Sequence, residues 1–436
     1  MPESLGEKQK ANELRKAGKY DEALEIYNHL WATEKDAYIG AGMLHCLRKL
    51  RRYDEAVPLA DKIANEYPDI VWCRTEAIWT YIEGRIYKLG SDASLKDVKE
   101  IANKILQLNP EPIPLKLAVF RVMKAAKAIN DWRTVNEWVT KVDPNTLSSK
   151  PMTDESGREG WSDQSLWSNY RIYALIETGH AEDAIKIVDD VIERFPKQRK
   201  FFLRLKALAN YKLGNFEESE KIYADLCKRY KSDWWLIHEF AKVIRDLGRK
   251  EDALQLMYKS AIGSPKLEPL VTLFEDIGIL CKDLGIHTEA RAHLALSKHV
   301  RNEQGWAISE KLNNAINELN KILGDNNEPG SIGEALKVCK SVWQNALGAE
   351  DLSHDKKGDH RHEKRGLKGK LSLGPSSRPY CFINTLDNEA YFCLKKDLPS
   401  GVKDGCIVFF DATPSYDKKK QRDTWQAINI TVKNNG

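Results

Sequence analysis

Three aromatic residues near the C-terminus, Tyr380, Phe382 and Tyr391, are spaced so that their rings can act together. Tyr380 and Phe382 are two apart, so in a strand both point to one face. A neighbouring strand is expected to bring Tyr391 to the same face. Flat rings on an open surface stack on unpaired bases, each worth ~1–3 kcal/mol, with little regard for base identity. Lys370, Arg378, and the run Lys418, Lys419, Lys420 with Arg422 supply cations for a phosphate backbone, which makes such binding salt-dependent. These nine residues are the expected site, and single-stranded RNA or DNA is its expected ligand. The competing reading of the same rings is that they pack the core of a small barrel that contacts only protein.

Other chemistry finds no support in the sequence. There is no Gly-x-x-x-x-Gly-Lys-Ser/Thr phosphate loop, no His-Glu-x-x-His and no Gly-x-Ser-x-Gly. The eight cysteines are scattered and none lies in a Cys-x-x-Cys pair, so they read as reduced thiols. His354, His360 and His362 fall in a polar run and read as solvated linker residues, not metal ligands. The expectation is a non-enzymatic protein with no catalytic residue, metal or cofactor. With neither a secretory signal nor an apolar run of membrane-spanning length, the expected setting is the cytoplasm, away from membranes.

The elements that must position the rings are β-strands. Lys370–Leu373, Tyr380–Ile383, Ala390–Leu394, Cys406–Asp411 and Trp425–Ile430 are β-rich and short. Turns such as Asp387-Asn388 and Lys403-Asp404-Gly405 separate them. Five such strands in ~65 residues predict a small closed barrel of the oligonucleotide-binding type. The segment resembles a cold-shock domain in the order of its parts. Gly369-Lys370 matches the family's opening. Arg378-Pro379-Tyr380-Cys381-Phe382-Ile383 stands where the family has Lys-Gly-Phe-Gly-Phe-Ile, and Glu389-Ala390-Tyr391-Phe392-Cys393-Leu394 where it has Asp-Val-Phe-Val-His-Phe. Trp425-Gln426-Ala427-Ile428-Asn429-Ile430 is similar to its closing strand. The resemblance implies nucleic-acid binding on the aromatic face. The chain departs from it at Leu373, Pro379, Cys381, Cys393 and Leu394.

The first three hundred residues are repetitive. A glycine followed five places on by a small residue recurs at Gly18/Ala23, Gly179/Ala184, Gly214/Ser219, Gly248/Ala253 and Gly285/Ala290. Arg51-Arg52-Tyr53-Asp54-Glu55-Ala56 has the same form without its glycine. The small residues are 33 apart from Ala23 to Ala56, then 35, 34 and 37 apart from Ala184 onward. A period of ~34 residues is that of a helix–turn–helix solenoid, and these units resemble tetratricopeptide repeats. Two degenerate units, one ending at Leu108-Asn109-Pro110 and one containing Asn130-Asp131-Trp132, bring the total to about eight. Trp306–Leu347 is expected to cap the array with further helix. The resemblance implies a groove for an unidentified protein or peptide. A carboxylate clamp for an acidic tail is disfavoured: Lys8 and Asn12 fit one, but Gly42, Trp72 and Glu76 do not.

The predicted fold class is therefore an all-α tetratricopeptide solenoid followed by a five-stranded oligonucleotide-binding-type barrel. The array occupies residues 1–347, a basic flexible linker 348–368 and the barrel 369–436. Pro144 to Asp163, rich in Ser, Pro, Gly and Asp, interrupts the array and is expected to be a structureless tether. From Glu350 to Gly436 there are 16 Lys and Arg against 12 Asp and Glu, an excess equal to the chain's whole net charge of +4. That asymmetry suits a polyanionic partner for the C-terminal part. The expected function is an adaptor joining a protein partner to nucleic acid. The alternative is a purely protein-binding scaffold.

Overall fold

A computed structural model of the chain describes residues 2–432, apart from 91, 154–158, 230–232, 325–327, 357–363, 376–377, 386–388, 400 and 418–421. The chain forms two compact units, Met1–Leu267 and Glu268–Gly436.

The first unit is built of helix pairs: α1 (Pro2–Lys16) with α2 (Tyr20–Thr33), α3 (Ala37–Lys49) with α4 (Tyr53–Glu66), α5 (Val71–Gly84) with α6 (Leu95–Gln107), α7 (Pro112–Ala128) with α8 (Trp132–Val139), α9 (Asp163–Glu177) with α10 (Ala181–Arg194), α11 (Arg199–Lys212) with α12 (Phe216–Arg229), and α13 (Trp234–Asp246) with α14 (Lys250–Ile262). The turn inside most pairs is the same device. Gly18 takes φ +78°, and the Lys19 N–H reaches back to the Leu14 carbonyl at 2.9 Å, closing the helix end. The degenerate units keep this geometry without glycine: Arg51 and Asn130 both sit at φ +58°. Five places on from each glycine, Ala23, Ala184, Ser219 and Ala253 are fully buried, as is Ala56 in the glycine-less unit. The partner helix passes too close there for a larger side chain. Tyr27 fills the next turn of that face, its hydroxyl donating to Asn12 Oδ1 at 2.9 Å. First helices also touch one another in succession, α1 with α3, α3 with α5, α5 with α7 and α9 with α11, and so form a layer of their own.

The described residues of the interruption between α8 and α9 are ordered rather than a tether. Pro151–Thr153 (β1) pairs antiparallel with Glu159–Ser162 (β2), with Pro151 opposite Ser162. Trp161 holds this hairpin to the array through the rings of Phe201 (5.3 Å) and Phe202 (5.7 Å). The Ser162 hydroxyl then caps α9 at the Ser165 N–H, 3.1 Å away. One half-buried tryptophan and one cap supply the order that a sparse apolar pattern hid.

In the second unit α15 (Val271–Asp283) pairs with α16 (His287–Glu303), followed by α17 (Glu310–Leu323) and α18 (Ile332–Lys356). Ala290 is fully buried and Gly285 adopts φ +77°, so α15 and α16 repeat the scheme of the first unit. Strands β3 (Lys364–Ser372), β4 (Tyr380–Thr385), β5 (Ala390–Leu394), β6 (Ile407–Asp417) and β7 (Arg422–Val432) close into a barrel in the order β3-β4-β5-β7-β6. All neighbours are antiparallel except β5 and β7, which are parallel. Leu371, Cys381, Ile383, Tyr391, Cys393, Val408, Phe410, Ala412, Ala427 and Ile430 fill its interior.

The stretch 348–368 differs from the expected linker at both ends. The helix α18 continues to Lys356, and β3 begins at Lys364. Lys368, assigned to the linker, stands instead on the outer face of β3 beside Lys370, while Gly369 and Leu371 face in. Gly369 permits the close strand pairing, since a Cβ there would lie 2.6 Å from Ile383 Cγ2 and 2.9 Å from the Asn384 carbonyl oxygen.

Candidate nucleic-acid interface

The outer face of the barrel follows from register. Tyr380 and Phe382 lie outward on β4, as alternation requires, with Phe382 38% exposed. Phe382 is paired with Phe392 on β5, and Ile383 with Tyr391. The outward ring on β5 is therefore Phe392, not Tyr391. Expecting Tyr391 on the surface was wrong: it is 1% exposed, its ring meets Phe410 edge-on at 5.0 Å, and its hydroxyl donates to Glu389. A one-residue phase difference moves a ring through the sheet. Cys393 follows Tyr391 inward, where its Sγ lies 3.0 Å from that of Cys381, and burial raises its thiol pKa well above the usual range.

The outward trio is compact. Tyr380 and Phe382 have centroids 5.9 Å apart at 83°, Tyr380 and Phe392 are 5.7 Å apart at 38°, and Phe382 and Phe392 are 6.3 Å apart at 71°. Phe382 meets both other rings edge to face, and Tyr380 and Phe392 are tilted to each other, so no two of the three lie parallel. This geometry fixes the half-buried Tyr380 and Phe392 and leaves Phe382 the most open of the three.

Of the expected cations, Lys370 is exposed on β3, opposite Asn384 of β4 and Ile407 of β6. Arg378 is exposed just before β4, its backbone N–H held by the Pro375 carbonyl at 3.1 Å. Arg422 opens β7. Lys418, Lys419 and Lys420 lie outside the described residues, as do His360 and His362. Two residues absent from the expected site belong to the face. Lys368 stands outward on β3 with its ammonium 5.8 Å from the Phe409 ring centroid, and Phe392 completes the ring cluster. The pairing of Phe382 with Phe392 is the observation that identifies the latter; the period of two alone could not. No group of three or more potential metal ligands occurs among the described residues, and no helix there is long and apolar enough to cross a membrane.

On the array, the first three helix pairs show why a carboxylate clamp does not form. Lys8 is bound to Glu34 at 2.8 Å, and Asn12 is engaged by Tyr27. Glu76 is buried and is met by Arg48 Nε and a second Arg48 nitrogen at 3.1 and 3.0 Å, by His45 Nδ1 at 2.8 Å, and by Trp72 Nε1 at 3.2 Å. Burial pushes the Glu76 pKa up, but the His45 hydrogen bond and the Arg48 charge more than offset it and hold the carboxyl below its ordinary range. Arg48 and His45 are already engaged by Glu76, and Lys8 by Glu34.

By its helix pairs and shared turn the chain is a helical repeat solenoid of tetratricopeptide-like form, followed by a closed five-stranded β-barrel. No family model and no curated protein matches it. Among solved structures it is similar to a tetratricopeptide repeat protein from Parabacteroides merdae ATCC 43184, with 12% identity, 73% of this chain and 99% of that one covered, and a TM-score of 0.32. It is similar to the APC/C hetero-tetramer Cut9-Hcn1, with 12% identity, 77% of each chain covered and a TM-score of 0.31. It is also similar to a Rap protein complexed with competence and sporulation factor, with 10% identity, 78% and 99% covered, and a TM-score of 0.34.

Proposed function

We propose that this chain is a non-catalytic adaptor whose barrel binds single-stranded RNA or DNA and whose helical array binds a protein partner. The observation that carries the nucleic-acid half is the outward cluster of Tyr380, Phe382 and Phe392, on neighbouring strands with Lys370 and Arg378 beside it. In five-stranded barrels of the oligonucleotide-binding type, the second and third strands and the loops after the first and fourth form the binding face. Here those strands are β4 and β5, and Lys418–Lys420 fall between the fourth and fifth strands. Bases stack on Phe382 and its neighbours, and the cations hold the backbone, so binding tolerates sequence and weakens with salt. The protein-binding half rests on the first helices that touch in succession, α1 through α7 and again α9 with α11, the kind of extended surface that solenoids offer to partners.

The test is anisotropy of labelled oligothymidine and oligouridine of about ten nucleotides, titrated with the full chain at two salt concentrations. Phe382→Ala and Phe392→Ala are expected to weaken binding by about five- to 150-fold each, one lost stacking contact being worth ~1–3 kcal/mol. Tyr391→Phe is expected to leave affinity unchanged, because that ring lies inside. If no oligonucleotide binds at low salt, the barrel serves protein contacts alone. If binding persists undiminished in both alanine variants, it comes from diffuse charge and the stacking face is refuted.

A further inference from the structure

The array carries an aromatic and cationic strip that the barrel reading does not use. It runs across the first helices α9, α11 and α13 and ends at the hairpin β1–β2. Under the hairpin lies a cavity of about 660 Å³ lined by Met152, Trp161, Phe201 and the stem of Lys197, among others. Met152 is 55% and Phe201 37% exposed, large apolar surfaces left open by the described residues. From Phe201 the strip continues to Trp235, whose ring is parallel to it within 4° at 6.3 Å. Arg204 then lies between Trp235 and Tyr173, with its guanidinium carbon 5.4 Å from each ring centroid. At the far end the Lys127 ammonium stands 5.6 Å from the Tyr170 ring.

Charge says what suits this strip. Helix α7 carries Lys116, Arg121, Lys124 and Lys127 and no acid; α11 carries Arg199, Lys200, Arg204, Lys206 and Lys212 and no acid. The second helices α2, α4 and α10 are rich in acids instead. Helices α7 and α11 therefore attract anions, whereas α13 is balanced and α9 carries Asp163 and Glu177 against Arg171. Within the strip, however, most cations are answered. Arg204 is held by both oxygens of Glu239, at 2.7 and 2.5 Å, and Lys200 is paired with Asp233. Those carboxylates oppose a continuous phosphate chain lying along the strip. Lys127 is different: it is exposed and forms no ion pair among the described residues. Partial desolvation, and then the charge of Arg204, lower its ammonium pKa, so a carboxylate arriving there relieves an uncompensated cation. The surface thus offers a pocket with an apolar wall of Met152, Trp161 and Phe201 beside the paired Lys197 and Glu159, and an open cation at Lys127, joined by rings.

We propose that this strip docks an acidic peptide segment of the partner protein, with a large apolar side chain seated under the hairpin and a carboxylate against Lys127. The proposal rests on the reading that the array binds protein. It goes further in naming the chemistry of the partner and in making the hairpin part of the site. An extended peptide presents alternate side chains to one surface, which suits a row of pockets and rings.

The experiment is selection of a phage-displayed library of random dodecapeptides on the full chain, on Phe201→Ala and on Lys127→Glu. The chain is expected to enrich sequences that combine Asp or Glu with Trp, Phe, Leu or Met. Synthetic peptides from that pool are expected to lose at least about tenfold in affinity with Phe201→Ala, as a desolvated aromatic anchor does. Lys127→Glu is expected to reverse the charge preference, enriching Lys or Arg in place of the acid. Enrichment without acids, or affinity unmoved by both variants, overturns this site while leaving a protein-binding array elsewhere intact. A failure to enrich any peptide overturns both. Labelled oligothymidine bound by the full chain and lost on Lys127→Glu would make the strip a nucleic-acid surface and refute the peptide. Both substitutions fall on exposed residues, and circular dichroism of each variant confirms the fold.

Discussion

Acid should loosen the second unit through one histidine. His293 of α16 is fully buried. Its Nδ1–H donates to the Glu289 carbonyl at 2.7 Å, and its Nε2 accepts the Trp343 indole N–H of α18 at 2.8 Å. Both nitrogens are thus used by the neutral ring, and a proton on Nε2 would face the indole donor. Burial lowers the His293 pKa to about 4 from its ordinary 6.5, against a smaller opposing effect of the Glu289 bond. In the unfolded chain the same ring titrates near 6.5. Above 6.5 it is neutral in both states and its packing is fully available. As pH falls from 6.5 toward 4 the unfolded state takes up the proton first, and stability drains away. The full difference is worth about 3 kcal/mol, and about 2 kcal/mol of it is lost between pH 7.5 and 5. The assay is urea unfolding of the full chain and of His293→Gln at both pH values, followed by tryptophan fluorescence. Other titrating groups contribute alike to both proteins, so the difference between their pH dependences isolates His293. Equal pH dependence in the two would show that the ring is not a buried neutral base, and the account of how α18 docks on α16 would fall.

Arg51→Gly is expected to stabilise the array by ~0.5–1 kcal/mol, because Arg51 at φ +58° pays a left-handed backbone cost that glycine avoids, less the entropy glycine loses on folding; thermal unfolding measures it. Glu76→Ala removes one of the two carboxylates that hold buried Arg48, Glu83 remaining at 2.7 Å, and also strips the partner of His45 and Trp72; it is expected to cost about 1.5–3 kcal/mol, read by urea unfolding; a cost under about 1 kcal/mol would mean that water reaches the pair. Gly369→Ala forces β3 away from β4 and is expected to destabilise the barrel by about 1–3 kcal/mol, seen as faster amide exchange in β3 and β4 with the array unaffected.

What the sequence disclosed depends on which physical constraint was local. The solenoid was legible because its turn needs a left-handed residue and its crossing needs a small one, both at fixed places in each repeat. Even Arg51 and Asn130 keep the turn, since the six-to-one hydrogen bond, not glycine itself, defines it. Alternation on β4 was equally local, and it placed Tyr380 and Phe382 correctly. The choice between Tyr391 and Phe392 was not local. Adjacent rings occupy opposite faces, and only the pairing of β4 with β5 decides which one is wet. The Tyr391 hydroxyl does not require the outer surface, because Glu389 accepts from it. The hairpin 151–162 was hidden because its order comes from Trp161 reaching Phe201 and Phe202 about forty positions away. The start of β3 was hidden because only Leu367, Gly369 and Leu371 alternate inward among lysines, and a buried glycine carries no hydrophobic signal.

The barrel's parallel seam has a consequence for its dynamics. Every other junction zips two antiparallel strands over several opposed residues, but β5 and β7 meet through the single opposed pair of Phe392 and Gln426. Parallel pairing is the weaker kind per residue, so thermal breathing should start there and unroll the cylinder into a sheet. The outward ring of β5 stands on that zipper, and whatever presses against it also keeps the cylinder shut.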